Sequence, residues 1–164
     1  VLTIDGAPVG EELDRYAYAP PPQASGAGSV AAVDPSNEGD GSCMIVVATD
    51  APVDARDLKR IAARAVFGLG RTGSSYGNGS GDFAIAFTTA PAMRSRFGER
   101  TPRERSVLQP DAVSPLFQAT LEATEEAIYN SMLQATTVTG NGRTAEAIPI
   151  AEVRAVLQKY GRGR

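Results

Sequence analysis

The chain has no histidine, no tryptophan and a single cysteine, Cys43, among its 164 residues. Each absence closes a route. Without imidazole the chain alone cannot build a Ser-His-Asp or Cys-His nucleophile site. With no histidine and one thiol it lacks the usual ligand set for zinc, and one cysteine excludes an internal disulfide framework. No apolar run approaches the ~20 residues that span a bilayer, and no secretory pattern opens the chain. A net charge of −3 supplies no global field for nucleic acid. Neither a membrane nor a nucleic acid is therefore expected as a partner, and the cytoplasm is slightly favoured over the periplasm. The sequence starts at Val1 rather than Met, so the expectation is a fragment whose upstream residues are missing or form another chain. Any nucleophilic catalysis here needs a base other than histidine.

What is present suits one domain with a sizeable core: 42% apolar and 21% charged residues. "VLTIDG" predicts a short strand ending in a turn. Residues 20–41, rich in Pro, Gly and Ser, predict a long irregular connector. "CMIVVATD" is apolar on both faces and predicts a strand covered on both sides. A helix is predicted over 54–69, capped by Asp54 with Asp57 near its positive end. Leu58, Ile61, Ala62, Ala65, Val66 and Leu69 form its apolar face, and Gly68 and Gly70 are expected to stop it. "DFAIAF" predicts a second buried strand, with Phe83, Ile85 and Phe87 on one side. Ala84 and Ala86 lie on the other, flat enough for a helix to approach. Ser114-Pro115 opens a long helix running to about Ala135. "TTVTGNGRTAEAI" predicts a strand, a turn and a return strand. A last helix near 151–160 is expected to bury Val153, Val156, Leu157 and Tyr160. The sum is an α/β chain with at least one sheet between helices and another sheet.

Three residues stand out chemically. Ser42 follows Asp-Gly at the edge of the first buried strand. A serine hydroxyl is a weak nucleophile and needs a base. If the Gly41–Ser42 bond breaks, the serine's own α-amine becomes that base, with a pKa of roughly 7.7–8.0. Before cleavage the same nitrogen is a non-basic amide, so the cut would create the site. Ser80 and Asp82, in "NGSGDF", can point into one pocket across a glycine turn, the carboxylate holding Ser80 or the charged amine. Taken locally, both groupings also suit ordinary turn residues satisfying nearby backbone. Cys43 would be a rival nucleophile if the cut fell one residue later, though a small buried residue is the plainer expectation. "GLGRTG", 68–73, matches G-x-G-x-x-G, but a helix precedes it and a loop follows, the reverse of a dinucleotide site. Glu125, Glu126 and Asn130 are expected on a solvated face of the long helix. Arg94 to Arg105 read as a solvated loop or subunit contact.

Taken together, the stretch from "GDGSCMIVVATDAP" to "GSGDFAIAFTTA" closely resembles the self-processing L-aminopeptidase/D-esterase family, which includes D-aminopeptidases and β-peptidyl aminopeptidases. "LTIDGAPVG" and "ATEEAIYNSMLQATTVTGNGRT" resemble its earlier and later segments. The resemblance implies an αββα sandwich like that of N-terminal-nucleophile hydrolases, differently connected. It implies cleavage at Gly41–Ser42, leaving 1–41 as the end of a large subunit and 42–164 as a small one. Ser42 would be the nucleophile, Ser80 and Asp82 the residues orienting it and its amine. Further implications are a partner in the remaining large-subunit segment, with the oxyanion-hole asparagine upstream of Val1, and tetramers of αβ units. No cofactor or metal is implied. The substrate class would be peptides, amides and esters that lose an N-terminal residue. Asp82 is shorter than the glutamate of some β-peptidyl members, which tilts the expectation towards L-residues and D-alanyl derivatives, with β-peptides second. Other outcomes of the same fold are acyl transfer, nylon-oligomer hydrolysis or a non-catalytic assembly domain. The first two use threonine in the relatives concerned.

Overall fold

A computed structural model of the chain describes residues 2–13, 42–77 and 79–163. The connector expected over 20–41, and Gly41 of the expected cut, lie outside the described residues. Packing divides the chain into two compact units. One comprises Val1–Ser42, Gly70–Gly81 and Ala127–Arg164; the other comprises Cys43–Leu69 and Asp82–Glu126.

The second unit is built on a parallel strand pair, β1 (Met44–Thr49) and β2 (Phe83–Thr88), in the register Met44↔Phe83 to Thr49↔Thr88. Parallel neighbours need a long crossover, and helix α2 (Ala55–Arg71) supplies it. Asp54 caps that helix as its sequence requires. Its Oδ1 accepts a hydrogen bond from the Asp57 amide at 2.9 Å, satisfying one of the N–H groups left over at a helix start. Ile61, Ala65 and Gly68 are buried, and Leu58, Ala62, Val66 and Leu69 are half-buried, so the expected face points inward.

Gly68 and Gly70 do not stop α2, which runs on to Arg71. Helix α3 (Ser114–Leu133) explains the first of them. A Cβ at Gly68 would lie 2.9 Å from Thr124 Cβ and 3.1 Å from the Leu121 carbonyl. The close approach of α3 offsets the cost of about 1 kcal/mol for a glycine inside a helix. The same two helices meet again where the Arg60 and Arg64 guanidinium groups stack on Phe117, 4.7 and 4.1 Å from the ring centre. Ser114 is not a cap but already helical, because a 3-10 turn over Pro110–Val113 feeds straight into α3.

The sheet has two unlike faces. Ile45, Val47, Thr49, Ala84, Ala86 and Thr88 are half-buried. A cavity of about 150 Å³ is lined by Val47 and Thr49 together with Ile61 of α2 and Leu116, Ala119 and Thr120 of α3. The small side chains of β2 thus face the helical layer, as their flatness suggests. The other face is exposed: Met44 at 70%, Val46 at 63%, Phe83 at 62% and Ile85 at 58%. The expectation of cover on both faces is corrected for the described residues, which cover one.

In the first unit, Asp5 and Gly6 both have positive φ and close the expected turn, bridged by Ile4 and Ala7; the strand expected before it is reduced to that single bridge among the described residues. Helix α1 (Val9–Glu12) follows and packs on helix α4 (Ile150–Lys159) around Ala7, Val9, Val153 and Val156. Tyr160, expected inside, is 42% exposed; its hydroxyl donates to Glu12 Oε1 at 2.6 Å instead. Between α3 and α4 stands the hairpin of β3 (Val138–Gly140) and β4 (Arg143–Ala145). Asn141 and Gly142 both have positive φ, as the two-residue turn of such a hairpin demands.

Candidate active site

Parallel pairing brings the N-terminal ends of β1 and β2 to the same end of the ladder. Extending the register back from Met44↔Phe83 sets Cys43 opposite Asp82 and Ser42 opposite Gly81. The hydrogen bonds follow that order. The Phe83 amide donates to the Cys43 carbonyl at 2.9 Å. The Cys43 amide donates to Asp82 Oδ1 at 2.9 Å. The Gly81 amide donates to Ser42 Oγ at 3.0 Å.

Ser42 is exposed. Among the described residues its hydroxyl accepts the Gly81 hydrogen bond and donates none. One lone pair of the hydroxyl is thus held by a backbone N–H. Asp82 is half-buried, its carboxylate fixed on the amide of the residue that follows Ser42. Ser80 is half-buried, and its amide donates to the Gly77 carbonyl at 2.8 Å, closing a turn that delivers Gly81. The Gly81 backbone N–H reaches Ser42 Oγ. Gly81 is the contact that the sequence alone did not single out. The register between two strands 39 residues apart in sequence specifies it, and only the matching "GS" before each strand hints at it.

The other candidates resolve as follows. Cys43 is half-buried; its carbonyl accepts from the Phe83 amide and its own amide donates to Asp82 Oδ1, so its backbone is held on both sides. Gly68 and Gly70 lie inside α2, and Gly73, with φ of 103°, follows it, so "GLGRTG" offers no helix start to a phosphate. Glu126 and Asn130 are exposed on α3 and Glu125 is half-buried. The Arg94–Arg105 loop binds itself. Arg94 donates from Nε and Nη2 to the Thr89 carbonyl at 3.1 and 2.8 Å. Arg103 donates to the Arg94 carbonyl, and Arg105 to Ser95 Oγ at 2.9 Å.

An exposed serine whose hydroxyl accepts a backbone N–H at the mouth of a parallel strand pair, in an α/β chain without histidine, fits the fold class expected from the sequence. The comparisons agree. The pattern of peptidase family S58 matches residues 1–145, and the chain belongs to that family. It is 43% identical over 164 residues to beta-peptidyl aminopeptidase BapA of Sphingosinicella microcystinivorans, covering 98% of this chain and 40% of that relative. A second beta-peptidyl aminopeptidase BapA, from Sphingosinicella xenopeptidilytica, is 36% identical over 118 residues, 71% of this chain and 29% of the relative. Among solved structures, the L-aminopeptidase D-Ala-esterase/amidase of Ochrobactrum anthropi is described as a new variant among the Ntn hydrolase fold. It superposes with a TM-score of 0.76 at 33% identity, over 98% of this chain and 40% of that one. The PH0078 protein of Pyrococcus horikoshii OT3 gives a TM-score of 0.78 at 41% identity, over 98% and 39%. The α/β class and the resemblance to N-terminal-nucleophile hydrolases expected from the sequence therefore hold. The chain spans about two fifths of the length of these relatives.

Proposed function

We propose that this chain carries the nucleophile of a self-processing aminopeptidase, with Ser42 attacking first its own backbone and then substrates. The observation that carries the reading is the Ser42 hydroxyl, held by the Gly81 amide at 3.0 Å and donating to nothing among the described residues. In processing, Ser42 Oγ adds to the Gly41 carbonyl carbon. The Gly41–Ser42 C–N bond breaks, leaving an ester and a free amine, and water hydrolyses the ester. In turnover, that amine takes the proton of its own hydroxyl, directly or through one water. Oγ attacks the carbonyl of the substrate's first residue, the protonated amine gives its proton to the leaving amine, and water releases the acyl group.

Each side chain has a task in this scheme. The Gly81 N–H holds Ser42 Oγ in position for attack. Asp82 steadies the ammonium form of the Ser42 amine from its seat on the Cys43 amide. Ser80 fixes the turn beside them. The remaining large-subunit segment would complete the oxyanion hole, in an assembly of several αβ units.

Intact mass with N-terminal sequencing of the full-length protein tests the first step. A fragment beginning Ser-Cys-Met-Ile is expected; active protein with an unbroken 41–42 bond would reject the scheme. Two substrate readings are worth separating. The short Asp82 favours α-amino acid and D-alanyl amides, whereas the relatives at 43% and 36% identity bear the name beta-peptidyl aminopeptidase. Hydrolysis of L-alanyl, D-alanyl and β-homoalanyl p-nitroanilides, compared by kcat/KM, decides between them.

A further inference from the structure

The segment that delivers Gly81 to Ser42 is nearly all small residues. From Thr72 to Gly81, Tyr76 is the one large side chain. Glycine-rich backbone loses the most freedom on ordering, so something must fix this loop if the Gly81 amide is to stay on Ser42 Oγ. Tyr76 has a φ of 51°, a conformation that a bulky residue keeps only where its surroundings over-determine it. The surroundings are the last turn of α2. A Cβ built on Gly70 would stand 2.9 Å from the Tyr76 hydroxyl oxygen, 3.4 Å from Cε2 and 3.5 Å from Cζ. The ring therefore lies directly on the glycine backbone, in space that any other residue at 70 would take. Between this contact and Ser42 runs a short relay. The Gly73 amide donates to the Gly70 carbonyl at 3.1 Å, and the Ser80 amide to the Gly77 carbonyl at 2.8 Å. The Gly81 amide then meets Ser42 Oγ at 3.0 Å.

We infer that Tyr76, seated on Gly70, is a positioning residue that sets the Gly81 amide and Ser80 against Ser42. The inference rests on the proposed role of Ser42 and adds to it the element that holds the loop. The hydroxyl oxygen and the ring edge together fill the space over Gly70.

The test uses the full-length protein and four variants. Tyr76→Gly keeps the positive φ at no steric cost but removes the ring. Gly70→Ala favours the helix but pushes the ring away. The expected result for each is a fall of about 10–10²-fold in the rate of 41–42 cleavage and in kcat, with KM and melting temperature little changed. The double variant falls no further than either single one, and Tyr76→Phe, which keeps the ring, falls less than Tyr76→Gly. Hydrogen exchange at the Gly81 amide quickens about tenfold in the two disruptive variants while the amides of α2 hold. Normal exchange at Gly81 together with normal cleavage in Tyr76→Gly overturns the inference, as does a Tyr76→Phe protein as impaired as Tyr76→Gly. Ser42→Ala, run alongside, separates the two ideas. An active Ser42→Ala protein defeats the role of Ser42 and the inference with it, whereas an inactive one beside a normal Tyr76→Gly protein defeats the inference alone.

Discussion

At the C-terminal end of the β1–β2 ladder three threonines bind the backbone around them; at the N-terminal end one serine accepts a backbone hydrogen bond and, among the described residues, donates none. Thr49 Oγ1 accepts from the Ala51 amide at 3.1 Å. Thr88 Oγ1 donates to the Ala51 carbonyl at 2.6 Å and accepts from the Ala90 amide at 3.1 Å. The Thr89 amide and hydroxyl both donate to the Thr49 carbonyl, at 2.8 and 3.3 Å. At these positions hydroxyls tie off a ladder that would otherwise leave unpaired polar groups. Ser42 has the same functional group and receives the Gly81 amide, yet donates to nothing among the described residues. Chemistry available to the two ends is alike; what separates them, among the described residues, is whether the O–H is committed.

Four outcomes sharpen or break that contrast. The largest is at Ser42: replacing it by alanine is expected to leave the chain uncut and to lower kcat on the order of 10⁶-fold, read by intact mass and p-nitroanilide turnover. Next is Asp82→Asn, which keeps an oxygen for the Cys43 amide but removes the charge. Cleavage and kcat should fall about 10²-fold with the fold intact by circular dichroism; an unchanged rate would reduce Asp82 to a ladder cap. At the opposite end, Thr88→Val strands the Ala51 carbonyl and the Ala90 amide and should cost about 1–2 kcal/mol of stability in denaturant unfolding. Turnover per folded molecule should not change, and a fall in it would erase the distinction between the ends.

The smallest effect lies away from the ladder, where Lys159 Nζ contacts both oxygens of Glu12 at 2.8 and 2.7 Å. Those bonds, with that from Tyr160, hold the Glu12 carboxyl below its ordinary pKa. Hydrogen bonding to Glu12 holds the Lys159 ammonium and the Tyr160 hydroxyl above theirs. The Glu12 contribution is therefore complete above the ordinary carboxylate range and is lost as pH falls through its lowered value. The Lys159 and Tyr160 contributions are complete below their ordinary values and are lost as pH rises through the raised ones. Melting curves of the parent and Glu12→Gln should differ slightly near neutrality and converge at both extremes.

The secondary structure was legible where the signal is local. Asp54 marks the start of α2, the apolar runs mark β1 and β2, and Asn141-Gly142 marks the hairpin turn. Gly68 and Gly70 misled because a glycine signal carries no record of what stands opposite it. Thr124 and Tyr76 fill the space a Cβ would need, so these glycines permit contacts rather than end a helix. Of the candidate site, Ser42, Ser80 and Asp82 could be picked out as residue types. Their partners could not, because the Gly81 and Cys43 amides are selected by a pairing register between strands far apart in sequence. The sheet's apolar outer face was visible as a pattern, but a pattern does not say what covers it.

That register has a consequence for folding. Because strand side chains alternate, a slip of one position between β1 and β2 would turn the serine to the opposite face and set a different amide against it. Under the proposed chemistry such a chain would remain whole, so a break in the backbone would serve as a molecular receipt for correct strand assembly. Counting cut and uncut molecules after refolding would then report the yield of properly aligned sheet, with no need for a substrate.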